Sequence, residues 1–388
     1  MIYLDNAATS WPKPEQVYET LGSFLKHSGA NPGRSSHRMA TSAAGTIDRT
    51  RNRIAALFNA QAAERVIFTA NATDALNLAI KGVLNASDHA ISTVMEHNSV
   101  RRPLRALEER GVVTTRVSAS PEGVVSVDNV REALRPNTQL IAITHASNVN
   151  GALQPIADIA EIAREHGAFL LVDAAQTAGT IPIDMAELGV DLLAIPGHKA
   201  LMGPPGTGAL MLGDRIDLDD LSTIREGGTG GNSEEDVQPR ELPARYEAGT
   251  QNTVGIAALG AALNFLSDAG FEEAGKHELE MTWRLIEGLS GQTGVTILNP
   301  AEPSAHVSVV SIIVDSWEPS EFGTTLDSAF EIACRTGLHC APEACQALGA
   351  FPGGTVRLSP GYWTTPDEID QTISAIRELA SAPLKMSS

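Results

Sequence analysis

The chain has 388 residues, of which 43% are hydrophobic and 4% aromatic, and it carries a formal net charge of −19. That length allows a large core and more than one domain, and that charge excludes a nucleic-acid partner on electrostatic grounds. Three cysteines in so long a chain exclude a disulfide framework and point to a reducing, cytoplasmic setting.

The opening residues Met1–Asn6 have neither a basic nor an apolar leader character, so no signal peptide is expected. Apolar runs of strand length then recur at Arg65–Thr69, Ala90–Val94, Val112–Val117, Leu140–Thr144, Phe169–Asp173, Leu192–Ile195 and Gly208–Leu212. Between most of them lie amphipathic stretches such as Thr73–Leu84, Ser99–Arg110 and Ile156–His166. The alternation predicts βαβ units and an α/β fold with a mainly parallel, helix-covered sheet of seven strands. Segment Gly227–Arg245, glycine-rich and then acidic, is expected to be a long loop. Thr253–Ser267 and Glu272–Leu289 follow as helices; the apolar stretch 255–266 is too short to span a bilayer, so no membrane partner is expected. Val307–Val314 is expected as a strand and Pro366–Ala380 as a closing helix with Asp367 and Glu368 in its first turn. The chain is expected to divide into a large domain, 15–252, and a smaller α+β domain, 253–388, that also takes in residues 1–14.

Four constellations carry chemistry. Ile195-Pro196-Gly197-His198-Lys199 puts a lysine just beyond a strand end, where parallel sheets place ligand sites; it is either a Schiff-base amine or a loop lysine. Asp173 ends an apolar strand in Leu170–Gln176, as a helix cap or as a buried acceptor. Phe68–Asp74 is a strand that opens a helix through small and polar residues, which suits either a phosphate cradle or an ordinary N-cap. Arg335–Pro342 brackets Cys340, beside His339, between a glycine and a proline; an exposed thiol near cations is a nucleophile, whereas Cys334 and Cys345 lack that setting and fit buried small hydrophobes. One decoy fails: Gly203–Gly208 resembles the start of a nucleotide-binding loop, but Ala209 and Leu210 stand where lysine and serine or threonine are needed, so a tight turn into the next strand is expected.

Together these segments resemble the class V aminotransferases, and more narrowly the group II cysteine desulfurases and selenocysteine lyases. The resemblance also runs through Tyr3–Thr9, Gly29–Arg34, Glu96-His97, Ser147-Asn148 and Tyr246–Thr250. It implies pyridoxal-phosphate (PLP) fold type I and roles residue by residue. Lys199 would hold the cofactor covalently and move the proton, His97 would stack on its ring, Asp173 would pair with the ring nitrogen, and Gln176 would face the ring hydroxyl. Ala72 (through its backbone), Thr73 and His198 would hold the phosphate. Thr250 would reach the phosphate of a neighbouring subunit, which implies a homodimer with shared sites. Arg357 would clamp the substrate carboxylate, a task suited to guanidinium, with Asn148, Asn31 and Arg34 as further substrate-binding candidates. Cys340 would take the substrate sulfur as a persulfide and leave alanine, to be relieved by a sulfur-acceptor protein. No metal is implied.

Three positions depart from the family pattern. Pro196 stands where a serine often precedes the Gly-His-Lys turn, and proline offers neither hydroxyl nor N–H. Asn98 replaces a second histidine, and the aromatic-rich stretch common after the cysteine is absent from Ala341–Cys345. A selenocysteine lyase, a β-eliminating lyase or an aminotransferase would keep the cofactor and drop the persulfide. A non-catalytic scaffold would leave Lys199, Asp173, His97 and Arg357 without a reason to coexist.

Overall fold

The computed structural model describes residues 1–32, 37–231, 234–302 and 305–381. In chain order, β1 (Ile2–Tyr3) leads to α1 (Glu15–His27) and α2 (Arg38–Leu57). Alternation then sets in: β2 (Val66–Thr69), α3 (Ala72–Val83), β3 (His89–Thr93), α4 (Asn98–Glu108), β4 (Val113–Val117), α5 (Val127–Glu132) and β5 (Thr138–Thr144). It continues through α6 (Ile156–His166), β6 (Phe169–Asp173), α7 (Met185–Leu188), β7 (Leu192–Pro196) and β8 (Gly208–Leu212). After a long connection come α8 (Thr253–Ala269), α9 (Phe271–Leu289), β9 (Val295–Ile297), β10 (Val310–Val314), α10 (Pro319–Phe330), β11 (Ile332–Ala333), β12 (Arg335–Gly337), α11 (Pro342–Ala347), β13 (Thr355–Leu358) and α12 (Pro366–Ser381).

Seven strands form one sheet in the order β2-β8-β7-β6-β5-β3-β4, and β8 alone runs against the rest. The continuous apolar runs are explained by burial on both faces. On β6, Leu170 and Val172 face the core under α2, α6 and α8, while Leu171 faces the core under α3 and α4. On β5, Ile141 and Ile143 face the first core and Leu140 and Ala142 the second. Each such branched side chain contributes about 1.5–3 kcal/mol by leaving water. Helix α6 stops at Gly167, whose φ of 87° is the left-handed conformation glycine adopts without strain.

A second, antiparallel sheet has the order β12-β13-β10-β9 and its own core, including Leu285, Ile312, Phe322, Val356 and Ile376. The N-terminal segment joins it: β1 pairs in parallel with β11, and Asp5 bridges Ser359. Helix α8 adds Ile256, Leu259 and Leu263 to the core of the large sheet, although a division at residue 252 assigns it to the smaller unit. The described parts of Gly227–Arg245 contain no helix or strand. The strand expected from Val307 begins only at Val310, because the backbone turns tightly before it, with Val309 N donating to Val307 O at 2.7 Å. No single helix among the described residues is long and apolar enough to cross a membrane.

Candidate active site

A cavity of about 200 Å³ opens beyond the carboxyl ends of the central strands, lined among others by Ala72, Thr73, His97, Asn148, Asp173, Gln176, His198, Lys199 and Arg357. Topology puts them there: β2 runs into Ala72 and Thr73, β3 into His97, β5 into Asn148, β6 ends on Asp173, and β7 ends two residues before His198.

Lys199 is enclosed, and burial together with Arg357 and Arg335 pushes its amine down to about 8 against the pull of Asp173. Asp173 is buried as well, and burial raises its carboxyl above the usual range while Ala175 N–H and Lys199 pull it down. Its Oδ1 accepts from Ala175 N at 3.0 Å, and no further hydrogen bond engages its carboxyl among the described residues. The loop carrying Lys199 is held from below. Thr9 Oγ1 donates to His198 O at 3.0 Å, Ser10 Oγ to Lys199 O at 2.8 Å, and Lys13 Nζ to His198 O at 2.7 Å.

The start of α3 is an anion cradle. Asn71 caps the helix by accepting from Asp74 N at 2.9 Å, which leaves the Ala72 and Thr73 N–H groups outside the helix ladder. Gly208 of β8 passes so close that an added Cβ would lie 2.7 Å from the Asn71 carbonyl carbon. Thr73 Oγ1 meets Ser99 Oγ at 2.7 Å, and Ser99 Oγ meets His97 Nδ1 at 2.8 Å. His97 Nδ1 also accepts from Ser99 N at 3.1 Å, so the ring proton sits on Nε2. Burial, with the Lys199 and arginine charges, holds His97 down to about 4 and so neutral near pH 7. His198, whose Nδ1 faces Thr9 Oγ1 at 3.1 Å, is likewise pushed down to about 4, chiefly by burial. Gln176 donates to Ala7 O at 3.2 Å.

Arg357 is fully buried on β13. Its Nη1 donates to Asn148 O at 3.0 Å and its Nη2 to Asp5 Oδ1 at 2.8 Å, while its Nε finds no partner. A guanidinium has five N–H donors, so three remain for an incoming carboxylate. Asn148 is fixed by donating to His339 O at 2.7 Å.

Cys340 lies outside this cavity. It is exposed, at the end of a neighbouring groove that also touches Thr73 and His97, and Arg335 Nη2 donates to its Sγ at 3.4 Å. His339 and Cys340 both hold left-handed backbone, with φ of 49° and 59°. That turn sends the two side chains apart. His339 faces inward to Thr355 Oγ1 at 2.8 Å, and burial with the two arginines pushes it down to about 3. The cation beside the thiol is therefore Arg335, not His339. Burial pushes the Cys334 thiol up to about 12 and the Cys345 thiol up to about 11, as inert core cysteines require.

Asn31 is exposed and, like Cys340, is not among the residues lining this cavity; Thr250, expected at a neighbouring subunit's site, is exposed as well, and Arg34 lies outside the described residues. Sequence reasoning missed Arg335, although it opens the quoted motif, and Asp5, whose pairing across 352 residues has no local signal. It also passed over Glu96, which is fully buried beside Asp173 and pushed up to about 8 by burial.

Comparison with known proteins agrees with this geometry. The family model described as aminotransferase class-V matches residues 2–372. A probable cysteine desulfurase of Methanothermobacter thermautotrophicus is 33% identical over 98% of this chain and 94% of its own. Another from Halalkalibacterium halodurans is 34% identical over 95% and 91%. The apo structure of a cysteine desulfurase from Thermococcus onnurineus NA1 superposes with a TM-score of 0.91, at 30% identity, covering 98% and 94% of the two chains. The Escherichia coli cysteine desulfurase CsdA gives a TM-score of 0.87 at 27% identity, covering 97% and 94%. The chain belongs to the class V aminotransferase family and has its type I fold.

Proposed function

We propose that this protein is a pyridoxal-phosphate-dependent cysteine desulfurase that converts L-cysteine to L-alanine and leaves the sulfur as a persulfide on Cys340. The observation that carries this reading is the exposed Cys340 thiol, held by Arg335, which also lines the cavity containing Lys199. Elimination chemistry needs no enzyme thiol at that place.

The residues fit the cofactor by their donor set: an enclosed amine, a buried carboxyl with an unengaged oxygen, a neutral imidazole and a helix N-terminus. When bound, the cofactor supplies an electron sink for the substrate α-carbon. Lys199 holds it and moves the α-proton, which an amine near pKa 8 does at neutral pH with little thermodynamic penalty. Asp173 would pair with the ring nitrogen, Gln176 would face the ring hydroxyl, and His97 would stack on the ring. Ala72 N–H, Thr73 and His198 would hold the phosphate, and Thr250 of a second copy would complete that site in a homodimer. The free donors of Arg357, with Asn148 beside them, would hold the substrate carboxylate. The Cys340 thiolate then attacks the substrate sulfur: the S–S bond forms as the carbon–sulfur bond breaks, and the carbon skeleton takes up a proton to become alanine. An acceptor protein, in a reducing cytoplasmic compartment, removes the persulfide sulfur.

The test is to measure alanine, pyruvate and sulfide from L-cysteine, with and without reductant, in wild type and Cys340→Ala. Wild type should form alanine and release sulfide only with reductant, and the variant should lose both. Undiminished turnover in the variant, with pyruvate and ammonia in place of alanine, would make the protein a β-eliminating lyase.

A further inference from the structure

The turn that carries Cys340 is left-handed at two successive residues, His339 with φ of 49° and Cys340 with φ of 59°. Neither is a glycine. A side chain in that conformation is crowded by its own backbone, so such a turn persists only where its surroundings hold it. Different elements hold its two carbonyls. Asn148 Nδ2, in the loop after β5, donates to His339 O at 2.7 Å, and Asn98 N, the first residue of α4, donates to Cys340 O at 2.8 Å. Ala341 N closes the turn on Leu338 O at 2.8 Å.

A charged clamp stands beside these bonds. Glu343 lies in the first turn of α11, and its Oε1 accepts from Arg101 Nη2 of α4 at 2.6 Å and from Arg116 Nη1 of β4 at 3.0 Å. Arg101 also donates to Asn98 Oδ1 at 3.2 Å. The Arg101 and Glu343 side chains are 20% and 23% exposed, so solvent screens the pair only in part. A carboxylate in a first helical turn suits the helix dipole whichever way it points. The dipole alone gives no reason for arginines from two other elements to converge on one of its oxygens. Glu343 lines neither the cofactor-sized cavity nor the groove at Cys340, so it acts on the site only through the turn. Helix α4 thereby holds both sides of the chemistry. Its N-cap is His97, whose ring lines the cavity; Asn98 pins Cys340 O, and Arg101, one turn on, pins Glu343.

We propose that Glu343 is a positioning residue for sulfur transfer: clamped by Arg101 and Arg116, it holds the Cys340 turn against α4 so that the thiol is in place when the substrate carbon is activated. The inference rests on the desulfurase reading of Cys340 and Lys199. Two fates compete once Lys199 has removed the substrate α-proton. With the thiol in place, the substrate sulfur passes to Cys340 as a persulfide, and the carbon skeleton keeps the electron pair of the broken bond and takes up protons to become alanine. With the thiol displaced, the carbon regains a proton that has exchanged with water, and cysteine is returned. The clamp sets the ratio of the two fates.

The test turns over L-cysteine with the full-length, cofactor-loaded enzyme in D2O, and mass spectrometry counts the alanine formed and the α-deuterated cysteine returned. Glu343→Leu keeps much of the bulk and removes both acceptor oxygens. It should slow alanine formation by about tenfold, within the roughly hundredfold that a misplacement of about 1 Å can cost, and raise α-deuterated cysteine per alanine by a similar factor. Arg101→Leu strips the same clamp from α4 and should raise the same ratio. Glu343→Gln keeps one oxygen for Arg101 and should fall between Glu343→Leu and wild type. Exchange of the L-alanine α-proton with D2O needs Lys199 but not Cys340, and should keep its wild-type rate in all three variants; a general loss of structure would lower it. A wild-type ratio in both leucine variants, whether alanine formation is unchanged or falls in step with alanine exchange, would show a merely stabilising ion pair and overturn the proposal. Cys340→Ser separates the two failures. If it forms alanine at the wild-type rate, the desulfurase reading falls and the inference with it; if it is inactive while Glu343→Leu matches wild type, the inference alone falls.

Discussion

Replacing Glu247 with alanine should destabilise the protein by about 3–5 kcal/mol, the range for removing one member of a buried ion pair. The Arg51 and Glu247 side chains are only 6% and 5% exposed. The Glu247 carboxylate accepts from Arg51 Nη1 at 2.6 Å, from Arg51 Nη2 at 2.9 Å and from Phe68 N at 2.7 Å. Truncation leaves Arg51 with the Val66 carbonyl and the face of Phe68, 4.5 Å from its centroid, but with no anion. It also orphans the Phe68 N–H, and a buried unsatisfied donor costs about 1–3 kcal/mol. The pair ties α2 and β2 to the segment that carries Thr250, so cofactor affinity should weaken along with stability. Denaturant unfolding of the cofactor-free protein reads the first effect and absorbance titration with cofactor reads the second. The double variant Arg51→Met, Glu247→Leu should recover much of the stability, because no unpaired charge is left behind. A Glu247→Ala variant within about 1 kcal/mol of wild type, the value of an exposed pair, would refute the reasoning.

His145 is buried with Nδ1 unpartnered, and burial pushes it down to about 4 from 6.5. The unfolded chain takes a proton below 6.5 that the folded chain refuses until about 4, so this residue removes stability as pH falls through that window. Unfolding free energies of wild type and His145→Gln, compared from neutral pH downward, should move in the variant's favour; a difference constant with pH would refute it. Mixed subunits test the shared site: heterodimers of Thr250→Ala with Lys199→Ala carry both defects in one site and neither in the other, so activity should return on subunit exchange. No recovery despite proven exchange would separate Thr250 from the neighbouring site.

Much of the architecture is legible locally, because the forces that make it are local or one-dimensional. Leu170 to Val172 read as a buried strand since both faces of β6 are covered, and a continuous apolar run is the pattern that such burial demands. Asn71 and the small residues after it mark a helix start whose free N–H groups exist whatever lies opposite. Strand ends then predict where Asp173 and Lys199 gather, because parallel strands deliver their carboxyl ends to one edge. Other features depend on distant partners and leave no periodicity. Nothing near Arg357 announces Asp5, since the pair is made by the N-terminal segment lying along the small sheet. Proximity in sequence even misleads at His339, where two successive left-handed residues turn the imidazole inward and leave Cys340 to Arg335. Glu278 reads as one more polar residue on an amphipathic helix; only the packing of α9 against the loop at Tyr362 removes it from water. Sequence by itself thus determined the strands, the caps and the edge at which the chemistry collects, all consequences of burial and backbone hydrogen bonding. Tertiary structure alone decided which charges face each other, because desolvation and pairing depend on neighbours that the chain brings together only once it is folded.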